Sequence, residues 1–260
     1  MQKGDGLILA VIAASLLLLA ADTLSAGGVS SWAQQTLPTL ALTAGHWGYQ
    51  IGHALLVLAL APLLAGVIGR FTGLPNILAN ALTGYVRLAD AISEQLGGAA
   101  RWFALGLVLA TVTIVIQRYV FGFASTKLAE SVIYMHALLF LLSSASTALH
   151  DGHVRVDIIY AKLTERGRAW TELLGTYLCL VPMSVLIIWS ARGYLSSSWR
   201  ILERSRESDG LAFVYLLKTA IVVFAITLIL QGVSLACRAA LTLSGRAAPD
   251  LPGQTDKAEV

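Results

Sequence analysis

From residue 23 to residue 69 the chain carries not one Asp, Glu, Lys or Arg, and four later stretches repeat the pattern. Residues 102–117 lie between Arg101 and Arg118, and residues 131–149 between Glu130 and Asp151. Residues 173–191 lie between Glu172 and Arg192, and residues 219–237 between Lys218 and Arg238. A helix rising 1.5 Å per residue needs about 17–25 largely apolar residues to cross a ~30 Å hydrocarbon layer. The last three stretches meet that length as they stand. The first meets it by taking in Ala99, Ala100 and Tyr119-Val120-Phe121. Only 13% of the chain is charged, about half the ~25% of an ordinary soluble domain. Such a chain cannot cover itself with polar groups, so the bilayer is its natural solvent. The net charge of +3 is scattered. Nucleic-acid binding needs a dense basic stripe, and none is present, so no nucleic-acid partner is expected.

The first hundred residues are less regular. Residues 6–21 and 51–68 read as two spans, the second with Pro62 as a kink. The intervening residues 27–45 are rich in Gly, Ser, Thr and Pro and read as a loop or interfacial segment. Lys3 and Leu24-Ser25-Ala26 give residues 1–26 some features of a cleaved signal peptide, but a retained helix is the reading adopted. In residues 74–96, Leu74, Ile77, Leu78, Ala81, Leu82, Tyr85, Leu88, Ile92 and Leu96 recur at helical spacing, with Arg87, Asp90 and Glu94 between them. That pattern predicts an amphipathic helix on the membrane face or against a neighbour. The expected organisation is an N-terminal extension over 1–95, a four-helix core over 96–245 and a disordered cytoplasmic tail over 246–260. The fold class is all-α integral membrane protein.

Six spans alternate the loops between two sides. The side of the N-terminus collects eleven basic residues: Lys3, Arg70, Arg87, Arg101, Arg155, Lys162, Arg166, Arg168, Arg238, Arg246 and Lys257. The other collects seven: Arg118, Lys127, Arg192, Arg200, Arg204, Arg206 and Lys218. Positive charge favours the cytoplasmic side, which places both termini there.

Chemistry-bearing groups are few. The core spans contain no formal charge, and an intramembrane charge is the usual mark of an ion or proton path. No clear inverted repeat is visible. His136 is the one titratable side chain deep in a core span, and His150 ends the same helix. Two haems of a membrane cytochrome can use such spacing, so a haem-binding subunit is the alternative reading. Spans 173–191 and 219–237 offer no second histidine ligands, and His46 and His53 gather at one end of one span. The simpler reading has His136 hydrogen-bonding a neighbouring helix. Cys179 and Cys237 belong to no metal or redox spacing and read as small buried hydrophobes. Ser143, Ser144, Ser146 and Thr147 suit close helix packing. His153 and Asp157 fall short of a metal site. There is no P-loop, no GxGxxG and no serine nucleophile with an ordered base. No catalytic residue, no metal and no cofactor is expected.

One ordered set of residues is more specific. Arg118-Tyr119-Val120-Phe121 ends one span, and Glu130 opens the next. That span closes through the small-residue run 143–149 into Asp151-Gly152-His153-Val154-Arg155-Val156-Asp157. Trp199, Glu207-Ser208, Gly210-Leu211 and Lys218 precede the last span, which contains Gln231. In order and spacing, roughly over residues 100–240, the chain resembles the small membrane subunit, DctQ type, of tripartite ATP-independent periplasmic (TRAP) transporters. The resemblance implies four core helices paired with a large multi-span permease subunit that carries the substrate and sodium sites. It implies a periplasmic substrate-binding protein that delivers an organic anion, commonly a carboxylate. The small subunit is then a scaffold in the bacterial inner membrane. Residues 1–95 exceed the short family form.

Two local expectations follow. Residues 151–160 read as a turn at the membrane boundary, with Arg155 suited to the cytoplasmic side and His153 and Arg155 meeting lipid headgroups or a partner. Asp157 N-caps a surface helix through Ile158, Ile159 and Leu163. The stretch from Arg192 to Lys218 faces the periplasm on this topology, and Arg200, Arg204 and Arg206 are candidate contacts for the binding protein.

Overall fold

A computed structural model describes residues 2–153 and 157–252. Among the described residues there are helices and no strands. In chain order the helices are α1 (Asp5–Leu24), α2 (Gly28–Leu58), α3 (Ala61–Thr72), α4 (Asn76–Tyr119), α5 (Thr126–Leu149), α6 (Asp157–Tyr160), α7 (Glu165–Gly175), α8 (Val181–Arg200) and α9 (Val214–Leu243). A π-helical turn, Thr176–Leu180, joins α7 to α8. It falls just before Pro182, whose ring cannot donate to the preceding turn, and Val181 N–H reaches back to Thr176 O instead. Among the described residues six helical runs are long and apolar enough to cross a membrane.

The expected loop over 27–45 is helix: α2 starts at Gly28 and runs through Pro38. Turn-forming residues mislead there because a backbone without water must bond internally, and helix does so even with Ser, Thr and Pro present. Ser30, Ser31 and Thr43 return their hydroxyls to carbonyls three or four residues back. Asp22 accepts from Ser30 N–H at 2.7 Å and satisfies the start of α2. The break near Pro62 falls at Ala59–Leu60, and Pro62 occupies the first turn of α3, where its missing donor costs little.

The expected surface helix over 74–96 is not a separate element. It is the first half of the 44-residue α4, about 66 Å long at 1.5 Å per residue. Its buried stripe is made largely of small residues. Val86 and Ala89 are fully buried, with Ala79, Leu82 and Ser93, while Ile77 is 86% and Leu88 59% exposed. In a membrane protein small residues let helices approach while large apolar ones can face lipid.

Four helices end in the same way. In each, one residue past the cap turns to positive φ, and two backbone N–H groups reach back to the last turn. The residues at that position are Ala26, Asp151, Leu202 and Gly245. After α5, Gly152 N–H bonds Thr147 O at 2.9 Å and Asp151 N–H bonds Ala148 O at 3.3 Å.

The chain divides into two compact units. The first comprises Met1–Gln50, Gln95–Ser143 and Ser190–Val223. There the residues before α1 dock on α4: Gly4 N–H donates to Gln95 Oε1 at 2.9 Å, and Asp5 accepts from Arg101 and Trp102. A Cβ on Gly98 would strike the Lys3 carbonyl, so glycine is required there for close approach. The same unit stacks the Arg192 guanidinium over the Tyr49 ring at 3.8 Å. The second unit comprises Ile51–Glu94, Ser144–Trp189 and Phe224–Val260. Its core gathers Ala65, Leu74, Ala79, Leu82, Val86, Val233, Cys237, Ala240 and Leu241. Residues 246–249 of the expected tail pack here: Arg246 donates to Leu74 O at 2.6 Å and Pro249 O accepts from Arg238 at 2.9 Å. Residues 253–260 lie outside the described residues.

Candidate functional site

In the first unit the polar groups gather on the segment from the end of α8 to the start of α9. The α8 cap places Leu202 at φ 45°, with Glu203 N–H bonded to Ser198 O at 3.0 Å. Beyond it residues 205–211 form a closed loop, Ser205 N–H donating to Leu211 O at 2.9 Å. Glu130 in α5 seals that loop: one carboxylate oxygen accepts the Ser205 hydroxyl, the other accepts Leu211 N–H at 2.6 Å. Gly210 is required by the same closure, since a Cβ there would collide with the Ser205 side chain. Glu207 contributes backbone: its N–H donates to Ser205 Oγ at 3.1 Å and its carbonyl accepts from Gly210 N–H at 3.1 Å. The Glu207 and Ser208 side chains are exposed.

Lys218 pairs with Glu203, and its ammonium lies 3.9 Å from the centroid of the Tyr194 ring. The hydrogen bond from Lys218 holds the Glu203 carboxyl below its ordinary value of 4.5. Trp199 donates its indole N–H to Thr219 Oγ1 at 2.9 Å and packs edge-on against Tyr215 at 4.7 Å. Lys127 and Asp209 pair at 2.6 Å on the surface. Glu130 and Glu207 thus close this loop and Lys218 holds its start through Glu203, while Trp199 ties α8 to α9.

The second unit holds a buried network that the sequence reading did not foresee. Arg238 Nη2 lies 2.5 Å from Asp90 Oδ2, with side chains only 8% and 19% exposed. Asp90 Oδ1 also accepts from Arg238 Nη1 at 3.3 Å, the Ser234 hydroxyl at 3.1 Å and Gln231 Nε2 at 3.3 Å. Ser234 Oγ accepts from Arg238 Nη1 at 2.8 Å, and Gln231 Oε1 accepts the Ser93 hydroxyl at 2.8 Å. Tyr85 donates to Leu230 O at 3.1 Å beside it. Every member has a partner, which is the condition for a buried polar network to stabilise a fold. Of the expected site residues only Gln231 belongs to it. In sequence Asp90 falls between the apolar positions of its helix, and Arg238 counts only toward the basic charge of one side. The available signal was the 79, 82, 86, 89, 93 repeat of small or slender residues, with Asp90 on its edge.

The remaining expected residues are dispersed. Arg118 is exposed in the last turn of α4, followed by exposed Tyr119, Val120 and Phe121. Asp151 and Gly152 form the cap of α5, and His153 is exposed beyond it. Arg155 and the Asp157 side chain lie outside the described residues. The helix expected to run on to Leu163 stops at Tyr160. A fresh helix begins at Glu165, capped by Thr164, whose hydroxyl accepts from Gly167 N–H at 3.2 Å. Arg200, Arg204 and Arg206 are all exposed. Cys237 is buried as expected, whereas Cys179 is exposed. His136 is exposed against the Phe140 ring at 4.8 Å, and His150 Nδ1 lies 2.9 Å from Ser146 O. Nothing in this arrangement favours haem. Among the described residues no group of three or more His, Cys, Asp or Glu could hold a metal.

Six spanning helical runs without strands among the described residues define an all-α, multi-pass membrane protein. The family model for tripartite ATP-independent periplasmic transporters, DctQ component, matches residues 107–244, more than half of the chain, and the chain belongs to that family. Searches of curated proteins and of solved structures each found no match.

Proposed function

We propose that this chain is the non-catalytic small membrane subunit of a TRAP-type secondary transporter, scaffolding a large permease subunit. The large subunit carries out sodium-driven symport of an organic anion, in all expectation of the family a carboxylate, handed over by a periplasmic substrate-binding protein. Membership of the DctQ family over the four-span core carries this reading. The placement of Glu130, Glu203, Lys218, Asp90 and Arg238 supports it: they are drawn into loop-shaping and helix-joining bonds. The chain lies in the bacterial inner membrane with both termini in the cytoplasm. The loop over 201–213, shaped by Glu130 and Lys218, then faces the periplasm, and Arg206 with its neighbours Arg200 and Arg204 forms the candidate docking edge for the binding protein.

The test is reconstitution. Proteoliposomes holding this chain with its large permease, supplied with binding protein and an inward sodium gradient, are expected to accumulate substrate. Vesicles holding this chain alone are expected to accumulate none. Uptake by the chain alone overturns the scaffold reading.

A further inference from the structure

The first unit contains an open groove of about 270 Å³ lined by Gln34 and Pro38 of α2 and by Arg200, Ile201, Leu202 and Arg204. Gln34 and Pro38 belong to the N-terminal extension, outside the family match, and the other four to the family core. Two features make the groove an anion receptor. Arg200 and Arg204 both line it, and among the described residues neither is paired with a carboxylate; the nearby acids Glu203 and Asp209 are held by Lys218 and Lys127. Two arginines on the wall of one groove suit a phosphate, whose oxygens accept guanidinium N–H forks. Pro38 adds a second feature. It has no N–H, so the Gln34 carbonyl lacks its ordinary helical donor, and the Gln34 side chain is exposed at the groove.

Leu202 adopts φ 45° as the residue past the cap of α8, and the chain reversal there leaves Leu202 and Arg204 on the same groove as Arg200.

The surroundings decide the source of the phosphate. Trp32, exposed two residues before Gln34, and Trp199, in the last turn of α8, stand at this level of the helices. Tryptophans of this kind mark the headgroup depth of a bilayer. Ile201, in the groove itself, is 71% exposed. An apolar wall beside two arginines suits an amphiphile better than a free ion or an acidic protein surface.

We propose that this groove binds the phosphodiester headgroup of an anionic phospholipid. The lipid rests its charge on Arg200 and Arg204 and its glycerol end on Ile201, and so cements α2 of the extension to the end of α8. This narrows the docking edge proposed above: with Arg200 and Arg204 under lipid, Arg206, which does not line the groove, is the arginine left to meet the binding protein.

The test uses the full chain in detergent, titrated with phosphatidylglycerol and read by native mass spectrometry. The wild type is expected to retain one lipid that dipalmitoyl glycerol, lacking phosphate, does not replace. R200Q/R204Q is expected to lose most of that adduct, and the exposed-site control R87Q to keep it. Gln34→Glu places a negative charge at the groove without touching either arginine, so it decides the matter if the double variant does not fold, and it too is expected to lose the lipid. Equal retention by Gln34→Glu and wild type overturns the proposal. Complete displacement by millimolar inorganic phosphate overturns the lipid as occupant and leaves a phosphate site. Unchanged lipid retention in R200Q/R204Q, with loss of binding-protein capture, overturns it in favour of protein docking.

Discussion

Lys218 and Arg238 both stand on α9, and each holds a carboxylate from another segment, yet the two pairs are built differently. Lys218 meets Glu203 and the face of Tyr194 in a place that water reaches; the Glu203 side chain is 31% exposed. Arg238 spreads its fork over Asp90, Ser234 and the Pro249 carbonyl inside the second unit's core. An ammonium is a compact, well-hydrated point charge, while a guanidinium offers several donors in a plane. The exposed pair fixes the shape of a loop. The buried pair joins the extension's half of α4 to the last helix of the family core. Removing one partner should therefore matter far more in the second case, because it strands a charge without water.

The largest expected effect is that of Arg238→Met. It leaves Asp90 buried with only Ser234 and Gln231, and breaking a buried pair in this way costs about 3–5 kcal/mol. Thermal unfolding of the detergent-solubilised chain should show a large drop, with reduced yield of monodisperse protein. The double variant Asp90→Leu with Arg238→Met should recover much of the loss, since an apolar pair of similar volume replaces the ions. A single variant as stable as wild type would erase the contrast between the two pairs.

Gln231→Leu is expected to be milder. It removes the acceptor of the Ser93 hydroxyl and one donor to Asp90, leaving buried groups unmatched at about 1–3 kcal/mol. Adding Ser93→Ala should be nearly neutral on top of it, as both members of that bond are then gone. Strict additivity of the two single effects would show that the network does not act as a unit.

On the loop side, Glu130→Ala should leave the helices intact while opening residues 205–211, whose closure depends on the Ser205 and Leu211 contacts. Limited proteolysis should cut this loop several-fold faster than in wild type, with little change in thermal stability. A large fall in stability would mean that loop and helix packing are not separable in the way the comparison of the two pairs supposes.

Charge-free runs made the spans legible, because length and hydropathy are all a bilayer crossing asks. Glu130, Gly210 and Lys218 stand out in sequence as members of one ordered set, but their joint action on one loop does not. Asp90 and Arg238 were hidden for a physical reason: a charge between apolar residues reads as water-facing, and only the partner 148 residues away makes burial affordable. The helical course of residues 28–45 was hidden too, since Gly, Ser and Pro signal turns in water but accept helix where backbone groups have no other partner.

The smallest expected effect concerns Glu203, and its sign can be stated. Lys218 lowers the Glu203 carboxyl below its ordinary value of 4.5. A depressed carboxyl contributes stability above its unfolded-state value, and that contribution is lost as the pH falls through its lower folded-state value. The pair is partly exposed, so its worth is below about 1 kcal/mol. Lys218→Met should thus lower the melting temperature slightly at about pH 6, where the pair is intact. The difference from wild type should shrink as the pH is taken below the ordinary carboxylate range, because Glu203 is then neutral in both proteins. Glu203→Gln should show the same convergence. A gap that stays constant with pH would place the role of Lys218 in its packing over Tyr194 rather than in its charge.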